Sequence, residues 1–161
     1  MSGNDEVEAG RLDSVPTGTE AEIVETIEYI NERSRNLVRY SNKLSEAIKT
    51  IDKYIETIGP KAGIFFTDPE PFWEERDEYW GNSNWRLSIR KDWGLYAVSN
   101  ADEIPNVLLI EGRRVLKKQA IIRLPEFLRL YADELEKLEK EYEDISRKAN
   151  AMAEILSREV A

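Results

Sequence analysis

Between Asn84 and Asn100 the chain reads NWRLSIRKDWGLYAVSN, which sets Trp85, Trp93 and Tyr96 among Arg86, Arg90 and Lys91. Rings interleaved with cations suit a flexible polyanion that carries bases: each ring can stack on a base for about 1–3 kcal/mol, and each cation can neutralise a phosphate. The chemistry these residue types support is non-covalent binding of single-stranded DNA or RNA. It carries no strong sequence preference, because every base offers a ring face. A second basic stretch, RRVLKK, adds Arg113, Arg114, Lys117 and Lys118. From Asn84 to Arg123 eight basic residues stand against four acidic ones, so this segment carries +4 and the remainder −13 within a net charge of −9. Such local concentration matters more than an acidic total when the ligand is a polyanion.

Other chemistries are narrowed by what is missing. The 161 residues include no cysteine and no histidine, which excludes a disulfide framework, a zinc–thiolate site, a thiol nucleophile and a histidine base. Glu70, Glu74 and Glu78 could in principle hold magnesium for phosphoryl chemistry, but their spacing is loose and a solvated acidic helix face accounts for them. The expectation is a binding protein, not an enzyme, with no catalytic residues, no metal and no cofactor. The start MSGNDEVEAG is polar and acidic, and no eighteen apolar residues run together. No signal peptide, membrane span or membrane partner is therefore expected, which fits a cytoplasmic protein. Charged residues at 34% and a single glutamine fit a heat-adapted intracellular chain.

The elements that must position these residues follow from apolar spacing. Residues 1–18 hold too little apolar content to bury and read as a disordered acidic tail. Thr19 and Glu22 have capping-box spacing. From Ile23 to Ile58 apolar and small residues recur in alternating steps of four and three, the pattern of a heptad seam. Gly59 and Pro60 end it, giving an N-terminal helix over 19–59. The C-terminal stretch 125–161 repeats the pattern through Leu128, Tyr131, Leu135, Leu138, Tyr142, Ile145, Ala149, Met152 and Leu156, with Pro125 suited to a first turn. Stripes of this length must be covered. Leu128, Leu135, Leu138, Tyr142, Ile145 and Met152 are accordingly expected to hold a homodimer or homotetramer together.

The intervening segment 60–124 reads as the sheet. AGIFFT (62–67) is a short apolar run, and the acidic stretch after it has room for one or two helical turns. Trp85, Leu87 and Ile89 alternate with Arg86, Ser88 and Arg90. With an even loop at KDWG, Tyr96 and Val98 share their face. NVLLIE (106–111) and QAIIRL (119–124) read as two further strands flanking a basic turn. Leu87, Ile89, Val98 and Phe65 are expected in the core. Trp73, Trp80 and Trp93 lie beside prolines, glycines and charges, and both roles stay open for them. The expected fold is α+β, one domain overall: a four- to five-strand antiparallel sheet between two long heptad-patterned helices forming a coiled-coil arm.

WRLSIRKDWGLYAV, then a strand, a basic turn and RLPEFLRLYADELEKL running into a zipper-like helix, resembles the ThermoDBP group of archaeal single-stranded DNA-binding proteins and their relatives, over roughly residues 60–160. A similar strand meander leading into a helix occurs in single-strand-binding transcription coactivators of the positive-cofactor type. The resemblance implies an archaeal, thermophilic source and an aromatic and apolar cleft flanked by basic residues. It also implies that Trp85, Tyr96, Arg86 and Arg90 lie near the cleft and that helical zippers mediate assembly. The acidic FWEERDEYW segment departs from that charge pattern and leaves Trp73 and Trp80 as either core or binding residues. The order helix, strands, helix is also that of prefoldin-like chaperones, so a coiled-coil chaperone or a structural oligomerisation protein is the alternative.

Overall fold

The computed structural model describes residues 17–78 and 81–160; the expected acidic tail up to residue 16, and Trp80, lie outside the described residues. A 46-residue helix α1, Thr17–Ala62, opens the chain, and a 47-residue helix α2, Arg114–Val160, closes it. Between them run β1 (Phe66–Thr67), β2 (Trp73–Asp77), β3 (Gly81–Ile89), β4 (Leu95–Ser99) and β5 (Val107–Leu108), followed by a 3₁₀ turn at Leu109–Glu111. All pairings are antiparallel. β4 and β5 extend one edge of β3; β1 and β2 share the other, β1 against Ser88–Ile89 and β2 against Gly81–Trp85. The fold is therefore α+β, with two long helices and a five-strand antiparallel sheet.

The chain divides into two compact units, one ending at Leu44 and one running from Ser45. The described part of the first is helix alone, and its apolar residues Ile23, Ile27, Ile30 and Leu37 are each more than half exposed. In the second, α1 contributes Ser45, Ile48, Asp52, Ile55 and Gly59, stepping by three and four along one stripe. Ile48 and Ile55 are fully buried, Ser45 accepts a hydrogen bond from Lys117, and Asp52 accepts one from the Leu95 amide. From α2 come Leu116, Ala120, Leu124, Phe127 and Tyr131. One sheet face, with Phe66, Leu87, Ile89, Leu95 and Ala97, supplies the rest of this core. The Phe66 ring lies 5.5 Å from that of Phe127 and 5.8 Å from that of Tyr131.

Several expected elements are different in the structure. QAIIRL is not a strand and RRVLKK is not a turn, because α2 already starts at Arg114. Leu116, Ala120, Leu124, Phe127 and Tyr131 recur at helical spacing, and burying that stripe outweighs the β preference of Ile121 and Ile122. Pro125 sits inside α2 instead of opening it; the missing N–H and ring clash cost about 3 kcal/mol, which the buried neighbours Leu124 and Phe127 offset. NVLLIE keeps only Val107–Leu108 as strand. The acidic stretch after residue 72 is strand β2, not a helical turn. Thr17 and not Thr19 begins α1, so the capping box is not used there.

The end of α1 also differs. The helix runs through Gly59 and Pro60, and Gly63, at φ 73°, is the left-handed terminator whose N–H bonds the Gly59 carbonyl at 2.8 Å. Gly59 serves instead to admit a ring, since a Cβ there would stand 2.5 Å from Trp93. The indole packs against the helix at the point where the helix has no side chain.

Asp68 and Arg123 join sheet to helix. Asp68, just beyond β1, has a fully buried side chain and accepts two hydrogen bonds from Arg123 of α2, at 2.8 and 2.9 Å. Removing one partner of a buried pair leaves the other uncompensated, so Arg123→Ala is expected to lower stability by about 3 kcal/mol, read from the urea-unfolding midpoint. For Gly59→Ala, overpacking by about 1–3 kcal/mol competes with a helix-propensity gain near 1 kcal/mol. Net destabilisation with a shifted tryptophan emission is expected; a more stable variant with unchanged emission would contradict the contact.

Candidate nucleic-acid interface

The β3–β4 connection decides which side chains meet. Ile89 pairs with Leu95, and beyond it the Arg90 N–H donates to the Gly94 carbonyl while the Trp93 N–H donates to the Arg90 carbonyl at 2.7 Å. The loop proper is thus Lys91, Asp92 and Trp93: a tight turn followed by a residue in the left-handed region, Trp93 at φ 63°. A loop of odd length reverses the parity expected from an even one. Tyr96 pairs with Ser88 and Val98 with Arg86, so Tyr96 and Val98 share the face of Arg86 and Ser88, not that of Trp85, Leu87 and Ile89.

On that second face a groove of about 620 Å³ opens, lined by Phe65, Thr67, Ser88, Ile89, Arg90, Lys91, Asp92, Tyr96 and Asn106. Phe65, an expected core residue, is instead 56% exposed. Phe65 and Phe66 are consecutive in an extended segment, so only one can point inward, and Phe66 does. This two-residue periodicity is the signal available in the sequence. The Trp93 ring packs against Phe65 with centroids 4.9 Å apart at 47°. Held between Phe65 and Gly59, it steadies the exposed ring, and a left-handed backbone at a bulky residue, worth about 1–3 kcal/mol of strain, is tolerated there.

Hydrogen bonds fix the polar wall. The Thr67 and Ser88 hydroxyls are 2.8 Å apart. The Asp92 carboxylate accepts from the Tyr96 hydroxyl at 2.6 Å and from the Gly94 amide at 3.0 Å. The Tyr96 bond, then the Gly94 bond, hold the Asp92 carboxyl below its ordinary range, and the same Tyr96 bond raises the phenol. Asp92 is therefore ionised near neutral pH.

Of the residues singled out in the sequence, Arg90, Lys91 and Tyr96 line this groove. Trp85 does not: its ring is 4% exposed and its indole N–H donates to Glu75 at 3.1 Å. Arg86 donates to the backbone carbonyls of Asp68 and Pro69. Arg113 is paired with Glu75 at 2.7 Å, and Lys117 donates to Ser45 at 2.9 Å. Arg114 and Lys118 are exposed, and none of these four basic residues of the second stretch lines the groove. Trp93 lies behind Phe65. Trp73 pairs with Trp85 across the strands, and its buried indole N–H meets no acceptor among the described residues.

Leu128, Leu135 and Leu138 are half-buried, whereas Tyr142, Ile145 and Met152 farther along α2 are about three-fifths exposed or more. A second, more apolar groove of about 730 Å³ is bordered by Ile58, Ala62, Ile64, Leu135, Leu138 and Tyr142. Among the described residues no three metal-ligating side chains cluster, and no helix is long and apolar enough to cross a membrane.

Asp52 ties α1 to the loop end through its 3.0 Å bond from the Leu95 amide. Burial raises its carboxyl above the ordinary range despite that bond, and Glu56 and Asp92 add repulsion. A raised carboxyl costs stability when ionised, so the cost applies above its folded pKa and disappears as acid protonates it. In Asp52→Asn the amide oxygen can still accept from Leu95 without the charge. This variant is expected to melt at or above the parent at neutral pH, with the gap closing in acid; a lower melting point at neutral pH would show that the charge itself is needed.

Comparison with protein-family models, curated proteins and solved structures gives no match to this chain.

Proposed function

We propose that the chain binds single-stranded nucleic acid, DNA or RNA, in the groove beside the β3–β4 loop, without chemistry on it. The observation that carries the reading is the convergence of an exposed Phe65 ring and the Tyr96 ring with Arg90 and Lys91 around one open space. A base can stack on Phe65 while the two cations at the loop neutralise neighbouring phosphates. A volume near 620 Å³ lies within the usual range of about 300–1,000 Å³ for ligand pockets, and suits a short stretch of strand. The resemblance to the ThermoDBP group points the same way, with Phe65 taking the stacking place that the sequence suggested for Trp85. A cytoplasmic setting and a heat-adapted source accompany this reading.

The helices are the proposed assembly surface. Exposed Ile23, Ile27, Ile30 and Leu37 on α1, and Tyr142, Ile145, Met152 and Leu156 on α2, are more apolar area than a lone chain usually leaves in water. A homodimer or homotetramer would cover them. The same residues would suit a prefoldin-like chaperone, which would suppress aggregation of an unfolded client and ignore oligonucleotides.

Affinity for a labelled single strand, measured by fluorescence anisotropy, is expected to fall with salt at a log–log slope of at least about −1.4, from two phosphates at about −0.7 each. Arg90→Ala with Lys91→Ala should flatten it. Phe65→Ala should weaken binding about 5- to 150-fold, from the loss of one stacked base. Steep salt dependence that survives the double variant would move the site elsewhere. Leu138→Asp is expected to lower the molar mass seen by light scattering.

A further inference from the structure

A carboxylate in a groove for a polyanion is an electrostatic liability unless it meets a donor. Asp92 lines the groove, is exposed and forms no ion pair among the described residues. Oδ1 accepts from the Gly94 amide and Oδ2 from the Tyr96 hydroxyl, and the Asp92 amide and the Arg90 charge also act on the carboxylate. An ionised carboxylate has about four acceptor positions, more than these bonds fill. The result is a carboxylate fixed in orientation, with acceptor capacity left, in the groove that Phe65 also lines.

A fork of two acceptors selects among bases. The Watson–Crick edge of guanine offers two adjacent donors, the ring N1–H and the exocyclic amino group. Adenine and cytosine offer one amino donor beside a ring acceptor, and thymine and uracil flank one N–H with two carbonyls that a carboxylate repels. Bases of single strands are read on these edges while they stack on aromatic rings. Resting on the single-strand reading above, we infer that the groove contains one guanine-preferring position, where Phe65 stacks on the base and Asp92 accepts from its Watson–Crick edge. The rest of the bound strand contributes through stacking and phosphates and is sequence-tolerant, so the preference belongs to one nucleotide.

Anisotropy titrations of the full chain with short thymidylate oligonucleotides carrying one central substitution test this. Guanine is expected to bind about 10-fold tighter than thymine at that position, the scale of one bidentate base contact. Hypoxanthine, which keeps the N1–H and lacks the amino group, should fall between them, and adenine and cytosine should stay near thymine. In Asp92→Asn the amide oxygen can still accept from Gly94, so the turn is kept while the second acceptor is lost. Guanine and thymine should then bind within about twofold of each other. The series with the unaltered protein decides the matter even if the variant does not fold. Equal affinity for all bases, or a guanine preference that persists in Asp92→Asn, overturns the inference and leaves single-strand binding standing. No binding to any oligonucleotide at low salt overturns both.

Discussion

The contact on which the arrangement depends is the pair between Asp68 and Arg123. A buried ion pair adds little net stability, since desolvation consumes most of its attraction; its value is in being costly to break or misplace. Here it fixes the register of a very short strand. β1 has only two residues, too few to hold a position through ladder hydrogen bonds alone. With Asp68 bound to α2 and Phe66 set against Phe127 and Tyr131, the alternate residues Phe65 and Thr67 are obliged to face the groove. The exposed ring is thus a consequence of polar chemistry on the opposite side of the sheet.

Helix α1 serves two ends with one periodicity. Over Ser45–Gly59 its three-and-four stripe meets the β3–β4 connection and α2, ending in a glycine that admits an indole ring. Before Leu44 the same spacing continues, but its isoleucines are in water. The pattern in the sequence is continuous while the use of it changes, because helical periodicity records that a face must be covered and is silent about what covers it. For the same reason the two helices could be read from apolar spacing while the identity of their neighbours could not.

Other features were legible to differing degrees. The alternation in Trp85–Ile89 gave strand β3 and its inward residues Leu87 and Ile89 directly. Arg90 and Lys91 were legible as cations at a turn, whereas Tyr96, expected on the face of Trp85, Leu87 and Ile89, reaches the groove only because the loop has odd length. The start of α2 was obscured by Val115, Ile121 and Ile122, β-branched residues whose local preference is overridden once Leu116, Ala120 and Leu124 are buried. Arg86, Arg113, Lys117 and Arg123 looked like free cations; their partners, Asp68, Glu75, Ser45 and two carbonyls, are distant in sequence and become neighbours only through the fold. Trp85 looked like a stacking ring, but alternation within β3 sets it on the inward face of Leu87 and Ile89, where it is buried and its indole N–H is taken by Glu75.

That parity makes the KDW loop unusually intolerant of length change. Surface connections commonly accept an added or deleted residue at small cost. Here a single insertion that left the ladder paired would turn β4 over, carrying Leu95 and Ala97 out to water and Tyr96 in toward α1. Diversification of this connection should therefore proceed by exchange of side chains at constant length, or by indels of two.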